Sequence, residues 1–338
     1  MENKKGFEDS LQRWRAFWRH SVADRPPLVI RTRQESATDQ DRAQSTVRFG
    51  DTFPSVAGPG GLATTGWIFG AEVKTVAGIA WVEPFLEQIE DWHSIDFDAA
   101  RERLQELLER HKTLVEENSG RYAVDLGVLE GPADMAVRIM GEEKLAMALY
   151  DNPETVEAFF SFLTELGKEF VTKKLEVIPE YGGGTLCNGY WIQGKGVGLQ
   201  EDFGQMISPR QFREMILKHD MVIPRDLDNV WFHVHSGGLH MAREIADSGA
   251  FGCVQITNDY PAGPSAKEML PTLQYIQKRC CLILRKLSLD QLDSIMGQLS
   301  PEGLAIDIQC YDSTTTKDIQ TTLMTHEEAE KVIKWASG

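Results

Sequence analysis

His233 and His235 are separated by one residue at the end of an apolar run, Trp231-Phe232-His233-Val234-His235, and a glycine pair, Gly237-Gly238, follows at once. In an extended strand alternate side chains share a face, so both imidazoles project the same way. Two such nitrogens suit a divalent metal, and a catalytic zinc site adds a third protein ligand while leaving a position open. Cys310, just beyond the apolar residues 304–308, is the candidate third ligand as its thiolate. The competing explanation is structural. One imidazole is then a hydrogen-bonded core or pocket group, the other orders the glycine turn, and Cys310 is a small buried hydrophobe.

Further polar residues sit where strand-like runs end. Arg31 and Arg33, two apart after residues 28–30, could share a face and grip substrate carboxylates bidentately, or could instead pair locally with Glu35 or Asp39. Tyr190 and Trp191 end the run 184–191 and are candidates to line a ligand pocket, unless they are packing. Asn258, with Asp259 and Tyr260, follows the run ending at Ile256, as either a ligand contact or turn chemistry ahead of Pro261. Asp202 comes after a glycine-rich stretch, residues 194–198, read as a loop, and ahead of a helix start signalled by Ser208-Pro209.

The elements that must hold these residues alternate. Strand-like runs at 28–30, 122–129, 184–191, 229–234, 251–256, 281–284 and 303–308 are interleaved with helical patterns at 98–118, 133–150, 153–177, 208–219, 239–248, 265–278, 289–299 and 326–335. Such alternation predicts an α/β fold, a (β/α)8 TIM-type barrel, with an open doubly wound sheet giving a similar pattern. An amphipathic helix over 7–20, stopped by Asp24-Arg25-Pro26-Pro27, forms an N-terminal helical extension, so the expected organisation is residues 1–24 as extension and 25–338 as barrel domain. Residues 34–66 read as a long loop. In a barrel, strand ends on the C-terminal side carry the chemistry, which places His233, His235 and Asn258 together.

Of the 338 residues 42% are hydrophobic and 25% charged, as expected of a chain with a sizeable core. A net charge of −16 argues against nucleic-acid binding. The start Met1-Glu2-Asn3-Lys4-Lys5 lacks a signal-peptide core and no stretch reads as a membrane span, so a cytoplasmic protein with a small-molecule substrate is expected, its oligomeric state open. Five cysteines without framework spacing suggest reduced thiols.

Several segments, in order, resemble the uroporphyrinogen decarboxylase superfamily. Arg25-Pro26-Pro27-Leu28-Val29-Ile30-Arg31 is similar to its approach to the first strand, Phe69-Gly70-Ala71-Glu72-Val73 with Trp81-Val82-Glu83-Pro84 to a later motif, Gly131-Pro132-Ala133-Asp134 to its Gly-Pro turn, and Glu201-Asp202 with Ile207-Ser208-Pro209-Arg210-Gln211-Phe212 to the stretch before its histidine motif. The decarboxylases of that superfamily carry a catalytic aspartate that would fall near Gly61, where this chain has no acid. Its zinc-dependent methyltransferases carry His-x-Cys-Gly and a later cysteine. His233 matches that histidine, His235 replaces the first cysteine or Gly237 takes its place, and Cys310 falls near the second. The resemblance thus implies zinc, a methyl group moved between a corrinoid carried by a partner protein and a thiol or pterin acceptor, Asp202 at the barrel mouth to orient a histidine or exchange a proton, and Arg31 on an acidic group. A metal-independent decarboxylase of a tetrapyrrole or other polycarboxylate is the second expectation, and a noncatalytic ligand- or corrinoid-protein-binding barrel the third.

Overall fold

A computed structural model of the chain describes residues 2–33, 49–60, 62–76, 79–118, 122–311 and 331. Its staves are β1 (Leu28–Arg33), β2 (Ser55–Ala57), β3 (Ala123–Asp125, resuming at Leu129–Glu130), β4 (Gly196–Gln200), β5 (Asn229–His235), β6 (Cys253–Thr257), β7 (Cys281–Arg285) and β8 (Leu304–Tyr311). Every neighbouring pair from β2 round to β8 is parallel, and β8 pairs in parallel with β1 through Leu28 and Ile306, giving a (β/α)8 barrel. On the side between β1 and β2, Phe49–Gly50 runs antiparallel along β1. The strand interiors are almost wholly buried, because helices cover their outer side and large side chains fill the inside.

The helix Glu2–Trp18 sits under the strand N-termini. It buries Leu11, Trp14 and Phe17, donates Trp14 Nε1–H to the Asp51 carbonyl at 2.7 Å and Trp18 Nε1–H to the Trp191 carbonyl at 2.8 Å. Asp51 is buried and gathers Arg13 (2.8 Å), Arg25 (2.5 Å), Ser10 (2.9 Å) and the Leu28 amide (2.9 Å). The Arg-Pro-Pro stretch therefore ties the helix to the first stave.

Four elements differ from the sequence reading. The glycine-rich stretch 194–198 is not a loop: Gly196–Gln200 is a stave, and its glycines are there because a Cβ on Gly198 would lie 2.1 Å from the Trp231 ring and one on Gly196 2.2 Å from the Asn229 carbonyl oxygen. Conversely the run 184–191 is no stave but an antiparallel hairpin, Gly184–Cys187 against Tyr190–Gln193. Ser55–Ala57, inside the segment read as a loop, is a stave. The helices Pro153–Val177 and Leu239–Ser248 keep the expected bounds, while the pattern over 133–150 breaks at Gly141 (φ 87°) into Pro132–Met140 and Glu142–Asp151. Among the described residues no helix is long and apolar enough to cross a membrane. The expected helix over 326–335 lies, but for residue 331, outside the described residues.

Candidate functional site

β5 carries both histidines to the C-terminal end of the barrel, with ring centroids 4.7 Å apart. Each is fixed through Nδ1 by the neighbouring strand β6 or the turn after it. His233 Nδ1 lies 2.5 Å from Gln255 Oε1, and Gln255 gives its amide N–H to Thr257 Oγ1 at 2.9 Å. An oxygen that only accepts requires the proton on Nδ1 of His233 and leaves the Nε2 lone pair free. His235 Nδ1 donates to Asp259 at 2.9 and 3.0 Å, and Asp259 also accepts the Ser236 amide at 3.1 Å. A carboxylate behind an imidazole is the arrangement that orients metal-binding histidines.

Both Nε2 atoms face Asp202. Oδ1 of Asp202 is 3.8 Å from His233 Nε2 and 3.9 Å from His235 Nε2, too far to hydrogen bond. That oxygen is out of solvent and has no hydrogen-bond partner, whereas Oδ2 accepts from Gln200 Nε2 at 2.8 Å. One ligand atom from each of Asp202, His233 and His235 lies within 4.8 Å of the other two. Tetrahedral bonds of ~2.0–2.1 Å space their donors ~3.4 Å apart, so closing onto a zinc-sized ion asks the Asp202 oxygen and each imidazole to approach by about 0.5 Å and the two imidazole nitrogens by up to about 1.4 Å. The donor chemistry and the orphaned oxygen fit a divalent metal.

Burial pulls the His233 imidazole down to about 4, against smaller upward pulls from Gln255 and Asp202, so it is neutral at pH 7. The hydrogen bond to Asp259 raises His235, with burial opposing and the Asp202 and Asp259 charges reinforcing.

The backbone that presents Asp202 is held by two more acids. Asp134 accepts the amides of Asp202 (3.0 Å) and Phe203 (2.9 Å), and Glu201 accepts those of Ala133 and Asp134, both at 2.8 Å, at the start of the helix Pro132–Met140. Gly131 must be glycine, since a Cβ there would sit 2.3 Å from Glu201 Oε1. Burial is the largest cause raising the carboxyls of Glu201, Asp220 and, to about 7, Asp134, with neighbouring acids adding to it.

Beside this cluster a cavity of about 440 Å³ opens over the ends of β1 to β4, lined by apolar groups such as Ile68, Leu104, Leu107 and Phe170 and by Arg31, Glu130, Lys174 and Gln200. Gln200 joins the two, lining the cavity while bonding Asp202. Glu130 pairs with Arg138 at 2.6 Å through Oε1, and its Oε2 is buried without a partner. A smaller recess of about 360 Å³ is lined by Asp202, Gln205, His235, Gly237 and Asp259, giving the cluster a second approach.

The other expected site residues are placed differently. Arg31 lines the cavity but already holds Asp307, with Nε 2.9 and 3.1 Å from its two oxygens, and donates Nη2–H to the Asn188 carbonyl. Its partner is thus a buried acid on β8. Tyr190 is fully buried and lines neither space: it donates its hydroxyl to Asp307 at 2.5 Å and packs on Trp14 and Trp231 inside the barrel. Trp191 is equally buried, its indole N–H on the Tyr181 carbonyl at 2.8 Å. Asn258 is a buried turn residue that donates to the Lys286 carbonyl and Gln291 Oε1 at 3.1 and 2.9 Å, and it lines neither space. Cys310 has its backbone on β8 opposite Thr32, while its side chain, like that of Arg33, lies outside the described residues, as do Glu35, Asp39 and Gly61. Sequence reasoning missed Gln255, Gln200, Glu130 and Asp307; the polar interruptions in the apolar runs of β6 and β8 were the available signal for two of them.

A family model described as uroporphyrinogen decarboxylase (URO-D) matches residues 44–305, most of the chain and all of the staves from β2 to β7. No curated protein matches.

Proposed function

The chain belongs to the uroporphyrinogen decarboxylase family, and within that family we propose that it is a zinc-dependent methyltransferase, moving a methyl group between a corrinoid carrier and a thiol or pterin acceptor. The observation that carries this reading is the convergence of His233 Nε2, His235 Nε2 and the unpartnered Asp202 Oδ1. Asp202 replaces Cys310 as the third ligand in it. Bound there, zinc supplies Lewis acidity toward a sulfur or oxygen of the acceptor.

The chain's own residues do the rest. Gln255 and Asp259 keep each Nε2 lone pair aimed at the metal, and Asp134 and Glu201 hold the Asp202 backbone. The cavity takes the small substrate and shields it from water, and Gln200 passes its position to Asp202. Glu130 Oε2 is the free acceptor in the cavity wall and takes the proton that the acceptor gives up. The recess beside His235 serves the corrinoid carrier.

Decarboxylation of a polycarboxylate is less well supported. Several carboxylates need several cations free to turn toward them, and of the two basic residues lining the cavity among the described residues Arg31 is held by Asp307, which it shares with Arg285.

Elemental analysis of protein purified without chelator tests the proposal. Stoichiometric zinc is expected, lost in His233→Ala and in Asp202→Ala and kept in Cys310→Ser. Absence of metal from the unaltered protein overturns the reading, and loss on Cys310→Ser with retention on Asp202→Ala returns the third place to the thiolate.

A further inference from the structure

Lys174 has no part in the metal cluster. It comes from the last turns of the helix Pro153–Val177, is 8% exposed, and lines the 440 Å³ cavity. Its ammonium has three protons to donate, and one goes to the Leu126 carbonyl. Asp125, an acid that lines the same cavity and acts on Lys174 through its charge, is hydrogen-bonded elsewhere: Oδ1 accepts the Gly127 and Asn188 amides at 2.9 and 2.8 Å, and Oδ2 the Gly189 amide at 2.7 Å. Among the described residues Lys174 makes no ion pair, so the cavity wall contains a buried cation whose direct counter-charge is missing. Burial accordingly pulls its amine down to about 8, with Cys187 and Asp125 pulling the other way. The other basic residue in the wall, Arg31, is held by hydrogen bonds to Asp307, which Arg285 also approaches at 3.4 Å, and to the Asn188 carbonyl.

Part of the wall is apolar, Ile68, Phe69, Leu104, Leu107, Leu166 and Phe170, with the Lys174 ammonium 4.9 Å from the Phe170 ring centroid, while Glu130 and Gln200 form its polar side toward Asp202. We infer that the cavity binds a small monocarboxylate with an apolar body, its carboxylate on Lys174 Nζ and its body against these apolar side chains. One acid group matches the one lining cation that makes no ion pair among the described residues, and the volume lies at the lower end of what holds a drug-sized ligand. Lys174 is then a specificity residue that fixes which end of the substrate stays away from the metal donors. The inference rests on reading the cavity as the substrate chamber, but not on zinc or on methyl transfer.

The test uses the full chain and two fluorinated probes of nearly equal shape, 4-fluorobenzoate and 4-fluorobenzamide, titrated by fluorine NMR. A charge-assisted contact predicts that benzoate binds at least about 10-fold more tightly than the amide. In Lys174→Met, which keeps the length and removes the charge, that preference is expected to vanish while the weak amide binding persists. No preference in the unaltered protein, or a preference that survives the substitution, overturns the inference. Should Lys174→Met fail to fold by circular dichroism, acetic anhydride labelling of the unaltered protein decides: excess 4-fluorobenzoate is expected to slow acetylation of Lys174 several-fold, and an unchanged rate overturns the assignment. Zinc content measured on the same samples separates the two readings. Lost preference with zinc intact leaves the metal site standing, and absent zinc with the preference intact removes only the methyl-transfer reading.

Discussion

Asp259→Asn is expected to weaken zinc binding without dismantling the barrel. The carboxylate accepts His235 Nδ1–H at 2.9 and 3.0 Å, and the Ser236 amide at 3.1 Å, while its own residue's amide donates to Ser236 Oγ at 3.0 Å. Asparagine keeps the shape and one accepting oxygen, but it removes the charge that enriches the imidazole. It can also turn its NH₂ toward Nδ1, which forces the proton onto Nε2 and cancels the lone pair that faces Asp202. Loss of a carboxylate behind a metal-binding histidine costs ~10–100-fold in affinity, which is about 1.4–2.7 kcal/mol. The oxygen that remains favours the lower half of that range, and amide inversion the upper half. Competition for zinc against a chromophoric chelator measures it, with thermal melting of the metal-free protein as control. An affinity unchanged within about 2-fold, where the charge-assisted bond should count for far more, refutes the assignment of Asp259 as the group that orients His235. An equal fall in metal-free stability shows instead that Asp259 serves the turn.

Two further outcomes concern the frame. Gly131→Ala puts a Cβ 2.3 Å from Glu201 Oε1 and must push the carboxylate off the Ala133 and Asp134 amides; a loss of about 2–4 kcal/mol in urea unfolding, with zinc affinity falling as Asp202 shifts, is expected, and a neutral effect denies Glu201 its anchoring role. His111 is fully buried with Nδ1–H on the Leu107 carbonyl at 2.8 Å, and burial takes it from 6.5 down to about 4, with Lys174 adding to the fall. The unfolded chain therefore binds this proton first, so its stability term is whole above pH 6.5 and is lost as pH falls toward about 4. The loss amounts to about 3 kcal/mol at most, and His111→Leu should flatten that part of the pH–stability curve.

The parts legible in the sequence are those set by local rules. Pro153–Val177 and Leu239–Ser248 were readable because an apolar stripe runs from a proline at the first turn in one and to Gly249, at φ 65°, in the other. β4 was not, because Gly196 and Gly198 carry a loop signature for a tertiary reason: the Asn229 backbone and the Trp231 ring occupy the space their side chains would need. The two histidines were readable from spacing alone. Their partners depend on register, which sets His233 beside Gln255 across β5 and β6, and on a turn that returns Asp259 to His235. Arg31 sits where spacing alone suggests a grip on a substrate carboxylate, and its partner in the fold, Asp307, comes from β8, far along the chain and out of reach of local rules.

The structural explanation of the His-x-His motif accounts for half of each ring. Gln255 and Asp259 satisfy the two Nδ1 atoms, as they would in a core that simply used histidine for packing. They leave the two Nε2 atoms pointing at a carboxylate oxygen that neither reaches, at 3.8 and 3.9 Å, and that nothing else satisfies. A packing role gives no reason for that gap, since leaving a buried carboxylate oxygen unpaired costs about 1–3 kcal/mol or more when a closer approach would recover it. The surroundings resist such an approach: Asp134 and Glu201 fix the backbone of Asp202 from one side, and β6 and its following turn fix the rings from the other. Three donors held apart by independent anchors, at a separation too long for each other, are what the proposed metal site requires and what a packing role leaves unexplained.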